Sequence, residues 1–360
     1  MPVEASAPDW SVANHAGILY PKLILKHFML VVSPGSEVAA TNVSSVTPPR
    51  VRAIPQGNAS PRVFGNSPSG DIKISIIIPT YCGGEMLERC LSKLAIQVSE
   101  HAFEVLCIDS GSPENELILM QEAGARTFSI ENRFFNHGLT RDLGAGLAIG
   151  GVLVFINQDV VPADEHWLEN LTVPLFGDDP PAAVQGAMID FSGDDSPVRP
   201  FYWQTCGPRF YFTREMHRWV SRYPGPSFST VSAAIRRGVW QEIPFGWAPI
   251  MEDKKWQREA LESGLLIEDA PDARVFHSHD YTVRSLLRRC QSEGFGWRLL
   301  GEHYTFGDML RDLWVPRVWR DLAGGLKRRR FKMRLAEVVY PWLRPIAVWY
   351  GNRRLKAVKH

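Results

Sequence analysis

The sequence predicts an α/β fold, a mixed and mostly parallel sheet with flanking helices, followed by a basic, aromatic helical tail. Three observations predict it. Continuous β-branched runs such as "IKISIIIPTY" (72–81) have the pattern of strands buried on both faces. Segments with apolar residues at helical spacing alternate with these runs, which argues for parallel strands joined by right-handed crossovers. The end of the chain then changes character: residues 311–360 carry 14 Lys/Arg against 3 Asp/Glu, whereas residues 1–310 carry 26 against 36.

Taken in order, residues 1–70 read as a flexible or poorly ordered leader, rich in Ser, Pro, Asn and Val between Ser33 and Gly70 and without helical or strand period. The core domain is expected over 71–300. Its first strand, 72–81, leads into "EMLERCLSKLAIQV" (85–98), where Leu87, Cys90, Leu91, Leu94 and Val98 share a helical face. "FEVLCIDSGS" (103–112) is a second buried strand that runs into a turn of small residues, and "ENELILMQEAG" (114–124) a second helix. A short strand near 127–130 and a helix over 138–151, with Leu139, Leu143 and Leu147 in phase, deliver the chain to "VFINQDVVP" (154–162). In open parallel sheets the ligand crevice lies beyond the carboxyl ends of the strands. Three strands here end in polar turns: Pro79-Thr80-Tyr81, Asp109-Ser110-Gly111-Ser112 and Asn157-Gln158-Asp159.

Composition excludes several classes. With 360 residues, 45% of them hydrophobic, the chain can bury a large core, so disorder throughout is excluded. The five cysteines lie far apart with no C-x-x-C pair, which suggests neither a disulfide framework nor a structural zinc site and fits a reducing cytoplasm. No apolar run reaches the roughly 18 to 20 residues of a membrane span. The nearest, "ILYPKLILKHFMLVV" (18–32), is broken by Pro21, Lys22, Lys26 and His27, and as a signal segment it lacks a basic start. Neither G-x-G-x-x-G after the first strand nor a Walker-type phosphate loop is present.

Candidate chemistry begins at Asp159. A carboxylate at a strand end is a hard oxygen ligand for Mg²⁺ or Mn²⁺, although a simple turn residue is the commoner reading. Glu252 and Asp253 open a helical segment in "PIMEDKKWQREALESG" (249–264), where acids ordinarily complement the helix dipole. His277 and His279 in "ARVFHSHDYT" (273–282) stand two apart on a strand-like stretch and so share a face.

The ordered series "ISIIIPTY", "IDSGS", "ENRFFNHGLTRDLGA" (131–145), "INQDVVP", "FSTVSAAIRRGVWQEIPF" (228–245), "MEDKKWQREALESG" and "HSHDYT" resembles family 2 glycosyltransferases of the GT-A fold, whose sheet is Rossmann-like. The forms "NRFFNHGLTRDLGA" and "QDVVP" look most like the rhamnosyltransferase branch. The resemblance covers roughly residues 72–285 and implies a role for each motif. Pro79, Thr80 and Tyr81 would embrace the donor nucleoside, with Tyr81 over a base face, and Asp109 would accept from a pyrimidine N3–H. Gly138 and Arg141 would face the diphosphate or its ribose. Asp159, beside Gln158, would carry Mg²⁺ or Mn²⁺ against the phosphates, although Asn157 stands where a second carboxylate is common. One of His277 and His279 would add a ligand or a phosphate hydrogen bond. Asp253 would be the general base with Glu252 its neighbour, the reverse assignment being the nearest competitor. Trp256 and Arg258 would shape the adjoining sugar or acceptor wall.

The resemblance thus implies an inverting glycosyltransferase that moves a sugar, rhamnose from a nucleoside-diphosphate-rhamnose, onto a lipid-linked glycan in cell-surface polysaccharide (O-antigen or exopolysaccharide) synthesis. The alternatives are another donor such as a UDP-hexose, a silent nucleotide-sugar-binding module, or a membrane-associated scaffold. The tail, 301–360, is expected as short helical pieces interrupted by Gly324-Gly325, Pro341 and Pro345, with Trp314, Trp319, Trp342 and Trp349 among cations. That composition suits an anionic membrane surface, with nucleic acid as the rival and not the expected partner. The expected location is cytoplasmic, peripheral to the inner face of the cell membrane.

Overall fold

The computed structural model describes residues 10–13, 19–21, 29–30, 50–54, 62–65, 71–190, 201–205, 214–328 and 333–353. Strands run over Trp10–Ala13 (β1), Leu19–Pro21 (β2), Met29–Leu30 (β3), Arg50–Ala53 (β4), Ile72–Thr80 (β5), Ala102–Asp109 (β6), Arg126–Ser129 (β7), Val152–Ile156 (β8), Val161–Pro162 (β9), Ala183–Ile189 (β10), Ser232–Arg236 (β11) and Ile267–Phe276 (β12). β1 pairs with β2, and the others form one sheet in the order β3-β4-β7-β6-β5-β8-β11-β10-β12-β9.

β5 lies centrally because it can be apolar on both faces. Ile74, Ile76 and Ile78 point to one side, where the helix Gly84–Ala95 lays down Leu87, Cys90, Leu91 and Leu94 and the helix Trp167–Thr172 adds Trp167, Leu168 and Leu171. Ile77 points to the other side, packing with Leu143 of the helix His137–Leu147 and with Trp240 and Trp256. The alternation is the two-residue pleat of a strand, with a helical layer on each face. The fold expected from the alternating pattern is the one observed, a mixed, mostly parallel sheet with flanking helices.

Two expectations need correction. Part of the leader joins the fold: β4 pairs antiparallel with β7, Val51 is buried, and Phe64 bridges to Phe103 with the rings stacked at 5.1 Å. Most of 18–32 lies outside the described residues, as do 329–332 and 354–360 of the tail. The tail is also not made of short pieces. Pro316–Arg328 is helical across both glycines, and Leu335–Asn352 is one helix through Pro341 and Pro345. A proline inside a helix leaves the carbonyl four residues earlier without its donor. For Pro341 that carbonyl belongs to Glu337, and the indole N–H of Trp203 donates to it at 2.7 Å.

This last helix packs along the helix Val283–Leu299, and the cluster between them takes in Phe201, Tyr202 and Trp203. The helical module therefore draws on 201–205 and 283–299 as well as on 301–353. Its centre holds a buried ion pair, in which Arg344 donates to Glu293 Oε1 at 2.6 Å from Nη2 and to Oε2 from Nη1. Burial opposes the charge on Glu293, and the guanidinium overrides it, holding the carboxyl below its ordinary range. Cutting such a pair leaves one buried charge without compensation. Glu293→Ala should therefore lower the unfolding free energy by about 3–5 kcal/mol, and the double replacement Glu293→Met with Arg344→Met should recover most of that loss, measured by urea denaturation.

Candidate active site

The sheet registers decide which chain segments meet. β6 and β8 run parallel to β5. β11 runs antiparallel to β8, β10 antiparallel to β11, and β12 parallel to β10. The carboxyl ends of β5, β6, β8, β10 and β12 therefore lie at one edge, together with the start of β11. That edge collects the turn after Thr80, Asp109, Asn157 to Asp159, Thr230 and the His277–His279 stretch.

Asp159 Oδ2 stands 3.7 Å from His277 Nε2 and 3.8 Å from His279 Nδ1, and the imidazoles meet edge to face at 4.4 Å. Both histidines approach Asp159, so the choice between them does not arise. These separations exceed a hydrogen bond. His277 Nε2 is buried without a hydrogen-bond partner, and one donor atom from each of the three residues can be drawn within 4.8 Å of the others. An orphaned ring nitrogen aimed at a carboxylate across such a gap fits a divalent cation held by all three. Burial works against the charge on Asp159, but His277 and then His279 outweigh it and hold the carboxyl at about 2. Burial and the charge of His277 lower His279 to about 4, leaving its ring neutral at neutral pH with a lone pair to offer.

Arg141 organises the neighbouring cluster. Its guanidinium, buried with the helix His137–Leu147, donates from Nη2 to Asn157 Oδ1 at 2.6 Å and from Nη1 to the His137 carbonyl at 3.1 Å. The same Nη1 lies 3.2 Å from Glu252 Oε1, which also accepts from Thr230 Oγ1 at 2.8 Å. Asn157 thus supports the arginine through its carbonyl oxygen. Burial raises Glu252, yet Arg141, His137 and Thr230 prevail and keep it ionised below the usual carboxylate range. A carboxylate held this way is a poor proton acceptor.

Asp253, the next residue, is half-buried and less engaged: its Oδ1 accepts from the Lys254 backbone N–H at 2.7 Å. Burial raises its pKa first, Lys254 opposes, and the charge of Glu252 adds to the rise. The higher basicity falls on Asp253, as a general base requires. The pair opens the helix Glu252–Glu262, whose N-cap Met251 adopts a left-handed φ of 57°, a strained conformation for a side chain of that size.

Other expected contacts are placed differently. Gln158 uses its amide on the backbone of Tyr81, accepting from the N–H at 2.8 Å and donating to the carbonyl at 2.9 Å, so it fixes the end of β5. Pro79 and Thr80 lie within β5, and Thr80 is buried with its hydroxyl on Asp109. Asp109 is also buried and accepts from Gly111 N at 2.9 Å and Ser112 N at 3.1 Å, closing its own turn. Tyr81 alone of these presents an exposed ring. Gly138 serves close packing: a Cβ there would lie 2.1 Å from the Gly246 carbonyl oxygen. Trp256 is a core residue, fully buried against Phe228 with its indole donating to the Ile243 carbonyl at 2.8 Å, so it forms no ligand wall. Arg258 reaches the Leu300 carbonyl at 3.1 Å and serves a helix end.

Several residues were missed. Asp142, buried, accepts from Trp240 Nε1 at 2.8 Å, Phe245 N at 3.0 Å and Gly246 N at 2.7 Å, and Asn136 Oδ1 accepts from Ala248 N at 3.0 Å. Together they pin the turn 245–248 and leave Trp247 59% exposed just ahead of the Glu252–Asp253 pair. Glu116 accepts from Gly83 N and Gly84 N at 2.8 and 3.1 Å, fixing the turn after β5. Against its burial, Tyr281, Glu293 and Cys290, and last Asp253, raise Arg289, which in turn contributes to lowering His279. The "ENRFFNHGLTRDLGA" run quoted above contained Asn136 and Asp142, and "ENELILMQEAG" contained Glu116, but nothing in either run marked these residues as anchors of a turn.

Residues 75–243 match the family described as Glycosyl transferase family 2. Over 231 residues the chain is 29% identical to the O-antigen chain rhamnosyltransferase RfbN of Salmonella typhimurium (strain LT2), covering 61% of this chain and 70% of that protein. It is 25% identical over 229 residues to the O-antigen chain rhamnosyltransferase WbaN of Salmonella anatum, covering 60% and 69%. Among solved structures, the mannosyltransferase PcManGT from Pyrobaculum calidifontis, in complex with GDP-Man and Mn²⁺, shares the fold with a TM-score of 0.51 at 15% identity, over 78% of this chain and 86% of that one.

Two measurements check this geometry. Asp159→Ala should weaken Mn²⁺ binding at least about tenfold in a calorimetric titration without donor, as loss of one ligand from a small site does. In a pH profile of kcat/KM, activity should fall as pH drops through the raised pKa of Asp253. Glu252→Gln removes the neighbouring negative charge, which lowers that pKa, so the acid limb should move to lower pH.

Proposed function

We propose that the protein is an inverting rhamnosyltransferase. It takes rhamnose from a nucleoside-diphosphate-rhamnose and adds it to a lipid-linked glycan in the synthesis of a surface polysaccharide, O-antigen or exopolysaccharide. The observation that carries the reading is the gathering at one sheet edge of the Asp159, His277 and His279 cluster and, through Asn157 and Arg141, of Glu252, the residue before Asp253. The names of the two Salmonella relatives favour rhamnose.

In this reading Asp159, His277 and His279 hold a divalent cation, and two imidazole donors suit Mn²⁺ better than Mg²⁺. When bound, it supplies positive charge against the donor diphosphate. Asp253 takes the proton of the acceptor hydroxyl while that oxygen forms its bond to the anomeric carbon. The bond from that carbon to the diphosphate oxygen breaks on the opposite face, the electron pair leaves with the nucleoside diphosphate, and configuration inverts. Arg141 and Glu252 hold the floor of the site, and Tyr81 offers its ring to the base. Trp247, on its pinned turn, takes the acceptor-side place first expected of Trp256, as an apolar platform for a sugar face.

The reading places the enzyme in the cytoplasm, peripheral to the inner face of the membrane. No described helix is long and apolar enough to cross a bilayer. Support for a peripheral contact comes from Trp342, Ile346 and Tyr350, exposed at helical spacing on the last helix.

The test is a panel of nucleotide sugars with Mn²⁺ or Mg²⁺ and a lipid-linked acceptor. Wild type should turn over a rhamnose donor, Asp253→Asn should lose about 10²- to 10⁴-fold in kcat, and Trp247→Ala should raise the acceptor KM with little change for the donor. Turnover of a UDP-hexose with inactivity on every rhamnose donor would remove the rhamnosyl assignment and leave the reaction class standing.

A further inference from the structure

Away from the sheet edge, a cleft of about 480 Å³ opens between the helices Arg214–Arg222 and Phe306–Leu313. Arg214, His217, Arg218, Ser221 and Arg222 line one wall, and Asp308 and Arg311 the other. The three arginines of the first helix follow at i, i+4 and i+8 and so share a face. Each rests on a buried carboxylate: Arg214 Nε lies 3.6 Å from Asp312, Arg218 Nη1 3.4 Å from Asp308, and Arg222 Nη1 2.6 Å from Glu302. Arg218 also donates to the His303 carbonyl. The carboxylates are buried, whereas the three arginine side chains remain substantially exposed. A guanidinium has five donor hydrogens in a fixed plane, so the acids orient the forks from below and leave outward N–H groups over. Arg311 is exposed and forms no ion pair among the described residues, which makes the cluster cationic by one charge beyond its acids.

A second observation concerns the other side of the helix Phe306–Leu313. Phe306, Leu310 and Trp314 are exposed, Trp314 to 77%, at spacings of four. At about 100° per residue, Arg311 falls between that stripe and the Asp308 wall of the cleft. Phe306 also meets Trp349 of the last helix, ring to ring at 5.7 Å, which connects the stripe to that helix. An arginine-lined cleft bordered by exposed apolar side chains matches a ligand that is anionic and hydrocarbon at adjoining places. A free phosphate would leave Trp314 in water, and an acidic peptide offers no hydrocarbon sheet beside its charge.

We propose that this cleft binds the headgroup phosphate of an anionic phospholipid at a bilayer surface, with Phe306, Leu310 and Trp314 entering the interface beside it. The proposal deepens the membrane contact suggested above, and it stands or falls without any sugar transfer. The full chain is tested by co-sedimentation with phosphatidylcholine vesicles with and without phosphatidylglycerol, and by calorimetric titration with inorganic pyrophosphate. Wild type should bind the phosphatidylglycerol vesicles and not the neutral ones. Arg218→Gln with Arg311→Gln should weaken vesicle binding roughly thirtyfold, the share of two cations near an anionic surface, and Arg311→Gln alone roughly fivefold. Arg311 has no ion-pair partner to lose, so its single variant separates binding from folding. Trp314→Ser should lose vesicle binding and keep any affinity for pyrophosphate. Vesicle binding indifferent to the arginine changes or equal on neutral vesicles, or pyrophosphate binding with none to vesicles, would overturn the lipid assignment. Sugar transfer to a water-soluble acceptor should be unchanged in all these variants, so a failure here and a failure of the transferase reading are distinguishable.

Discussion

The buried guanidinium of Arg141 is the constraint on which the site depends. It is taken out of water by the helix His137–Leu147, and a charge in that position must be compensated at short range. Glu252 compensates the charge and Asn157 takes up a second donor direction. One side chain thereby ties together the end of β8, the start of the helix Glu252–Glu262 and, through Thr230, the approach to β11. The consequences divide neatly between adjacent residues. Glu252 is spent on structure and held ionised, so the basicity passes to Asp253. Asn157 is engaged by Arg141, so the candidate cation site is left to Asp159 and the two imidazoles that follow β12. A carboxylate at 157 would bring a second negative charge to Arg141, beside Glu252, and the neutral amide avoids that.

The surroundings are built to keep this arrangement rigid. Asp142, one residue after Arg141, collects three N–H donors and fixes the turn that carries Trp247 toward Met251, while Gly138 allows the turn to approach the helix. At the other side Gln158 and Glu116 hold the backbone after β5, where Cys82 shares with Met251 the unusual left-handed backbone. Strain of this kind persists only where neighbours over-determine it.

Much of the fold was legible because it rests on local pattern. β5, β6 and β8 are buried on both faces, so their composition announced them, and the intervening helices showed their apolar faces by period. The candidate site was legible only as a set of positions. Trp256 looked available to a ligand because nothing in its own segment reveals that Phe228 and the Ile243 carbonyl enclose it. Pro341 looked like a helix breaker because the donor that rescues its orphaned carbonyl, Trp203, lies more than a hundred residues away in sequence. Asp109 and Gln158 were read as ligand contacts, and both are occupied by backbone partners. For Trp256, Pro341 and Gln158 a partner distant in sequence decided the role, whereas Asp109 is taken up by Gly111 and Ser112 within its own turn.

The central claim is that Asn157 belongs to Arg141 and stands apart from the cation site. The most direct measurement is the Mn²⁺ affinity of Asn157→Asp, titrated without donor beside the wild type. The account predicts an affinity within about twofold of wild type, since the new carboxylate would face the guanidinium. A gain of about tenfold or more would show the residue entering the cation's shell and would contradict the account.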